Sequence, residues 1–123
     1  MKEGRIIKIP VGLHILGAIF SYNRNFLKSL DSAKRFIKKI IKKYQLHELG
    51  SFYYQFPHGG FTGVVSLVES HIAIHTWPEL GYLTLDVYLC NYSRDNSKIA
   101  KLIFQEIAIF FKPSKICKKF IKR

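Results

Sequence analysis

Several residue types are scarce in this chain of 123 residues, and each scarcity narrows what it can be. Two cysteines, Cys90 and Cys117, are too few to staple a disulfide scaffold, so a reducing, cytoplasmic setting is expected. No apolar run approaches the ~18 residues that a membrane span requires. Lys2, Arg5 and Lys8 ahead of Val11–Phe20 have the outline of a signal peptide. Glu3, Pro10 and His14 interrupt it, however, and no small-residue cleavage site follows. There is no internal repeat, low-complexity tract or linker, which predicts a single domain over residues 1–123. Acidic side chains are scarce as well: 8 Asp and Glu stand against 20 Lys and Arg, for a net charge of +12. What the chain does have is core material. It is 48% hydrophobic and 15% aromatic, a composition that excludes intrinsic disorder.

Hydrophobic periodicity orders that material. Val11–Tyr22, apolar with two glycines, reads as a first strand. Asn23 or Asn25 can cap one helix, in which Phe26, Leu30, Ala33, Ile37, Ile40, Ile41 and Tyr44 recur at steps of three and four. Gln45–Phe56 is aromatic and strand-like, ending at Pro57 and the Gly59-Gly60 turn. Phe61–Val68 is a third strand, and His71–Trp77 reads as extended too. After the turn Pro78-Glu79-Leu80-Gly81, the segment Tyr82–Cys90 alternates cleanly, with Leu83, Leu85, Val87 and Leu89 on one side. Asp95, Asn96 or Ser97 caps a second helix carrying Ile99, Ala100, Ile103, Ile107 and Phe110. A short basic strand, Lys115–Ile121, closes the order β-α-β-β-β-α-β.

Short turns between neighbouring strands predict an α+β fold, a two-layer sandwich of a mainly antiparallel sheet with two helices on one face. The other face, with Tyr82, Tyr88 and Cys90, is too aromatic for bare solvent. A second copy is expected to stack its sheet there, giving an αββα homodimer.

So basic a chain invites comparison with nucleic-acid-binding modules. Of the 20 cations 15 are lysine, spread over the first helix, the amino terminus and residues 112–123 with no aromatic stacking motif between them. A solvated helix face accounts for this pattern, and nucleic acid is not the expected partner. A basic binding module stands as the alternative of a different class.

The densest group of reactive side chains is Glu69-Ser70-His71, then His75-Thr76-Trp77-Pro78-Glu79, then Cys90. Three readings of the residues stay open. His71 and His75 have the i, i+4 spacing of zinc ligands on a helix, although the surrounding residues favour a strand. Cys90 and His75 could pair as a thiol nucleophile and its base. The histidines could equally be plain hydrogen-bonded side chains, with Cys90 a small buried hydrophobe.

Taken in full, the segment from Gly63-Val64-Val65 through Glu-Ser-His (69–71) and His-Thr-Trp-Pro-Glu (75–79), with Asp86 and Cys90, resembles the short prokaryotic S-adenosylmethionine decarboxylases. Gly12–His14 adds a Gly-x-His start. The resemblance implies a proenzyme that breaks before the serine, at Glu69-Ser70, into residues 1–69 and 70–123. Ser70 would attack the Glu69 carbonyl to form an ester, and elimination and hydrolysis would leave a pyruvoyl cofactor. That group binds substrate as a Schiff base. By the same resemblance His75 serves processing and Thr62, where the family usually has serine, assists it. Cys90 is the proton donor, Phe56 stacks on adenine, Glu79 holds the ribose, and Trp77 lines the pocket. His14 and Asp86 are supports, and no metal is implied. The implied substrate is S-adenosylmethionine and the product the aminopropyl donor for spermidine; arginine or ornithine decarboxylation on the same scaffold is the nearest rival. One physical check applies. Five residues of straight strand span ~16 Å, so Ser70 and His75 meet only if the chain bends or another subunit intervenes.

Overall fold

A computed structural model describes residues 11–91 and 94–123; the signal-peptide-like outline at residues 2–10 lies outside them. Six strands form one sheet: β1 (Gly12–Ser21), β2 (Glu48–Gln55), β3 (Phe61–Leu67), β4 (Ser70–Trp77), β5 (Tyr82–Cys90) and β6 (Pro113–Lys122). Their order across the sheet is β2-β3-β4-β5-β1-β6, and every pairing is antiparallel. The α+β sandwich therefore stands as expected.

Two details differ from expectation. The predicted single helix is two, α1 (Arg24–Lys28) and α2 (Leu30–Lys43), so three helices accompany the sheet when α3 (Ser97–Phe110) is counted. Ser29 causes the break. Its Oγ accepts from the backbone N–H of Ser32 and starts a new helix, while Asn23 caps the first in the same manner. Continuous apolar periodicity concealed this, because the break does not move the buried face. Second, four strands rather than three separate α2 from α3: His71–Trp77 belongs to a full strand, paired along both edges.

The core lies between sheet and helices. Leu13, Ile15 and Ile19 of β1 and Leu83, Leu85, Val87 and Leu89 of β5 pack under Ile37 and Ile40 of α2 and Ile103, Phe104 and Ile107 of α3. Burying one such side chain contributes about 1.5–3 kcal/mol. Thr76 is a buried polar strut: its Oγ1 donates to Leu27 O at 2.7 Å and accepts from the Phe61 N–H at 3.0 Å, tying α1 to the sheet. Closeness of layers is set at Gly17 of β1, where a Cβ would stand 2.4 Å from the ring of buried Phe104. Gly17→Val should therefore lower the free energy of unfolding by about 1–3 kcal/mol, read by urea titration. Adding Phe104→Leu should recover part of that loss.

Candidate active site

The tightest connection in the sheet is the two-residue turn Val68-Glu69 between β3 and β4, closed by the Leu67–Ser70 pair. It holds Glu69 in the left-handed region, φ 56°, which costs a side-chain-bearing residue about 1–2 kcal/mol. Ser70 comes next and opens β4. Its Oγ accepts a 3.0 Å hydrogen bond from the backbone N–H of Cys90, the last residue of β5. The Cys90 thiol donates to Glu69 Oε1 at 3.7 Å, and the thiol-bearing residue is buried while Glu69 is exposed. A cavity of about 240 Å³ opens at this corner, lined by Glu69, Ser70 and Cys90 together with His47, Arg94 and Asn96.

At the other end of β4 a second group assembles. His75 faces Thr62 across the β3–β4 ladder, and the Thr62 hydroxyl lies 2.5 Å from His75 Nδ1. The Trp77 ring centre is 6.3 Å from that of His75 and 5.4 Å from that of Tyr82. Glu79 is exposed in the short 3₁₀ turn Pro78–Leu80. Phe56 leaves β2 at the same end, with its ring on Tyr54 and His58. Of the residues singled out in the sequence, one chain thus gathers Glu69, Ser70 and Cys90 at one end. Thr62, His75, Phe56, Trp77 and Glu79 stand at the other. Ser70 and His75 are not brought together, because β4 runs straight between them.

Between the two groups, on the face away from the helices, sits a third. The rings of His14, His71 and Tyr88 meet pairwise at 5.6–5.7 Å. The Arg123 guanidinium lies 3.2 Å from His14 Nδ1, and His14 Nε2, 3.8 Å from Asp86 Oδ2, is buried without a hydrogen-bond partner. His71 and His75 have separate neighbours. Among the described residues no group of three His, Cys, Asp or Glu side chains is arranged to hold a metal ion.

Comparison with known proteins bears directly on this arrangement. The profile of the S-adenosylmethionine decarboxylase family matches residues 13–123. This chain belongs to that family. An S-adenosylmethionine decarboxylase proenzyme from a Sulfurihydrogenibium species is 35% identical over 92% of this chain and 82% of its own length. One from Archaeoglobus fulgidus is 33% identical over 84% of this chain and 88% of its own. The crystal structure of the adenosylmethionine decarboxylase from Aquifex aeolicus superposes with a TM-score of 0.82 at 33% identity, covering 93% of this chain and 91% of that one.

Within the family frame, two sets of residues had no signal in the sequence. His47, Arg94 and Asn96 reach the Ser70 cavity from the ends of α2 and β5, in no motif. Arg123 reaches His14 across 109 residues, a distance at which no spacing rule applies. His14 is a buried member of the central cluster.

That cluster has a measurable consequence. Burial, and then the neighbouring His14, hold the His71 imidazole below its ordinary value, against the opposing pull of Asp86. The native state therefore resists protonating His71 while the unfolded chain does not. Stability should fall as pH drops through the unfolded histidine range near ~6.5 and continue falling to the depressed native value. Urea unfolding at pH 7.5 and 5.5 should show the loss, and His71→Asn should shrink the difference between the two pH values. An unchanged difference in the variant would assign the acid sensitivity to other groups.

Proposed function

We propose that this chain cleaves itself between Glu69 and Ser70, into residues 1–69 and 70–123, and that the cleaved protein decarboxylates S-adenosylmethionine. Family membership supports the activity and, through it, a place in spermidine synthesis. The observation that carries the cleavage site is the left-handed Glu69 next to a Ser70 hydroxyl anchored on the Cys90 N–H. The strained backbone belongs to Glu69, whose carbonyl is the one attacked, and cutting the chain beside it frees that conformation to relax. Attack by Ser70 Oγ on the Glu69 carbonyl exchanges the peptide C–N bond for an ester C–O bond. Loss of the Ser70 α-hydrogen to a base then expels the Glu69 carboxylate and leaves a dehydroalanine, whose imine tautomer takes up water and releases the Ser70 nitrogen as ammonia. These residues suit a pyruvoyl precursor, and the ketone, once made, supplies the electron sink for loss of CO₂. Cys90, beside Ser70 and shielded from bulk water, is positioned to return a proton to the substrate carbon.

The same proposal calls for a second copy. Elimination needs a base, and His75 with its Thr62 partner lies at the far end of a straight strand. The face away from the helices leaves the apolar side chains of Val64, Trp77, Phe20 and Ile121 exposed, which favours covering it. A copy stacked on this face about a two-fold axis brings its His75 end over the Ser70 end of the first, and the reverse. Two complete sites result, each with Ser70 and Cys90 from one chain and His75 from the other. Phe56, Trp77 and Glu79 are offered for the nucleoside.

Intact-mass analysis should find two fragments, the larger ending at Glu69 and the smaller beginning with pyruvoyl in place of Ser70. Ser70→Ala and His75→Ala should each remain uncleaved alone. Co-expressed, the His75→Ala chain should be cut, because its Ser70 meets the intact His75 of the Ser70→Ala chain. Cleavage of His75→Ala by itself would sink the shared site. Cys90→Ala should cleave normally but turn over at least tenfold more slowly and accumulate amino-terminal alanine on the smaller fragment. Wild-type turnover without inactivation in that variant would assign the proton to another group.

A further inference from the structure

The cavity at the Ser70 corner contains one permanently charged cation among its described lining residues, Arg94. Arg94 is exposed at the cavity mouth, and a chain of hydrogen bonds ties it to the corner. Arg94 Nε donates to Asn96 Oδ1 at 3.0 Å. Asn96 in turn donates through Nδ2 to the Cys90 carbonyl at 2.9 Å and through its backbone N–H to Asn91 Oδ1 at 2.7 Å. One side chain therefore ties Arg94 to Cys90, whose own N–H holds Ser70. The ion pairs among the described residues join His14 to Asp86, Arg35 to Asp31 and Lys43 to Glu106, and Arg94 takes part in none of them. Nε is occupied, which leaves both Nη groups as a planar fork suited to a carboxylate.

The substrate brings such a carboxylate. Its α-amine must reach the reactive carbonyl derived from Ser70, and the carboxylate hangs on the same carbon, so both enter this cavity together. Glu69, on the cavity wall, repels an incoming anion. A cation is needed to offset it. We infer that Arg94 recognises the α-carboxylate of the amino-acid substrate and thereby separates substrate from product, since the product has lost that group. This rests on the decarboxylase function proposed above. Arg94 holds the carboxylate before bond breaking, so its contribution lies in binding rather than in the chemical step. Once CO₂ has left, nothing in the product pairs with the guanidinium, and release is favoured.

The test compares two ligands that differ only in the carboxylate. Arg94→Gln should raise KM for S-adenosylmethionine about 10- to 100-fold and change kcat less than threefold. It should leave the inhibition constant of decarboxylated S-adenosylmethionine within twofold of wild type, and Arg94→Lys should fall between. Parallel increases for substrate and product would mean that Arg94 only shapes the pocket, and an unchanged KM would also overturn the assignment. If Arg94→Gln fails to fold or cleave, the wild type decides: the carboxamide of S-adenosylmethionine should inhibit with at least tenfold weaker affinity than the substrate. Equal affinity overturns the inference. A wild-type protein that is uncleaved, or that releases no CO₂ from S-adenosylmethionine, overturns instead the function on which it rests.

Discussion

Strand β4 is hydrogen-bonded along both edges, to β3 from Ser70 through His75 and to β5 from His71 through Trp77. A strand held on both sides cannot bend without leaving backbone groups unpaired, at about 1–3 kcal/mol for each one buried. Its straightness keeps Ser70 and His75 apart and sorts every other residue to a face. Ile72, Ile74 and Thr76 point into the core, while His71, Ala73, His75 and Trp77 share the opposite side with Tyr82 and Tyr88 of β5. Fold and chemistry both hang on this one ladder. The division of these residues between the two ends of the sheet follows from strand pairing.

The Ser70 end departs from ordinary turn chemistry. A two-residue connection between antiparallel strands usually puts Gly or Asn where φ is positive. Here Glu69 takes that conformation, and the surrounding pairings hold it in place. Departures of this kind, where local preference and global fold disagree, concentrate at functional sites. Cys90 bridges the corner: its backbone N–H holds the Ser70 hydroxyl and its buried thiol reaches the exposed Glu69 carboxylate. From the loop before α3, Asn96 ties the Arg94 cation to the Cys90 carbonyl.

The basic charge has a quieter explanation in the fold. Lysines 34, 38, 39, 42 and 43 lie on the exposed side of α2, and those of β6 line an edge strand. Charged side chains, lysine above all, on an unpaired edge discourage pairing with other chains. Their ammonium groups also sit over aromatic rings, as those of Lys118 and Lys101 do over Phe120. The face opposite the helices is different in character. It holds an unsatisfied His14 Nε2 and the tilted, neighbouring rings of His71 and Tyr88, a surface suited to contact more than to solvent.

Local chemistry explains what could be read in advance. Alternation in Tyr82–Cys90 and the three-and-four spacing of Phe26–Tyr44 record which side of each element is buried, so strands, helices and sandwich were legible from residue order. So was the stretch Glu69-Ser70-His71 to Glu79, because its reactive side chains stand in one dense run with the pattern of a known family. Ser29 escaped notice, since a helix break that keeps the same face buried leaves periodicity intact. Tertiary structure alone decided which reactive residues meet. Cys90 reaches Ser70 across 20 residues and Arg123 reaches His14 across 109, while His75, only five residues from Ser70, does not. The physical reason is geometric: a strand converts nearness in sequence into distance along the sheet, and the ladder converts distance in sequence into contact.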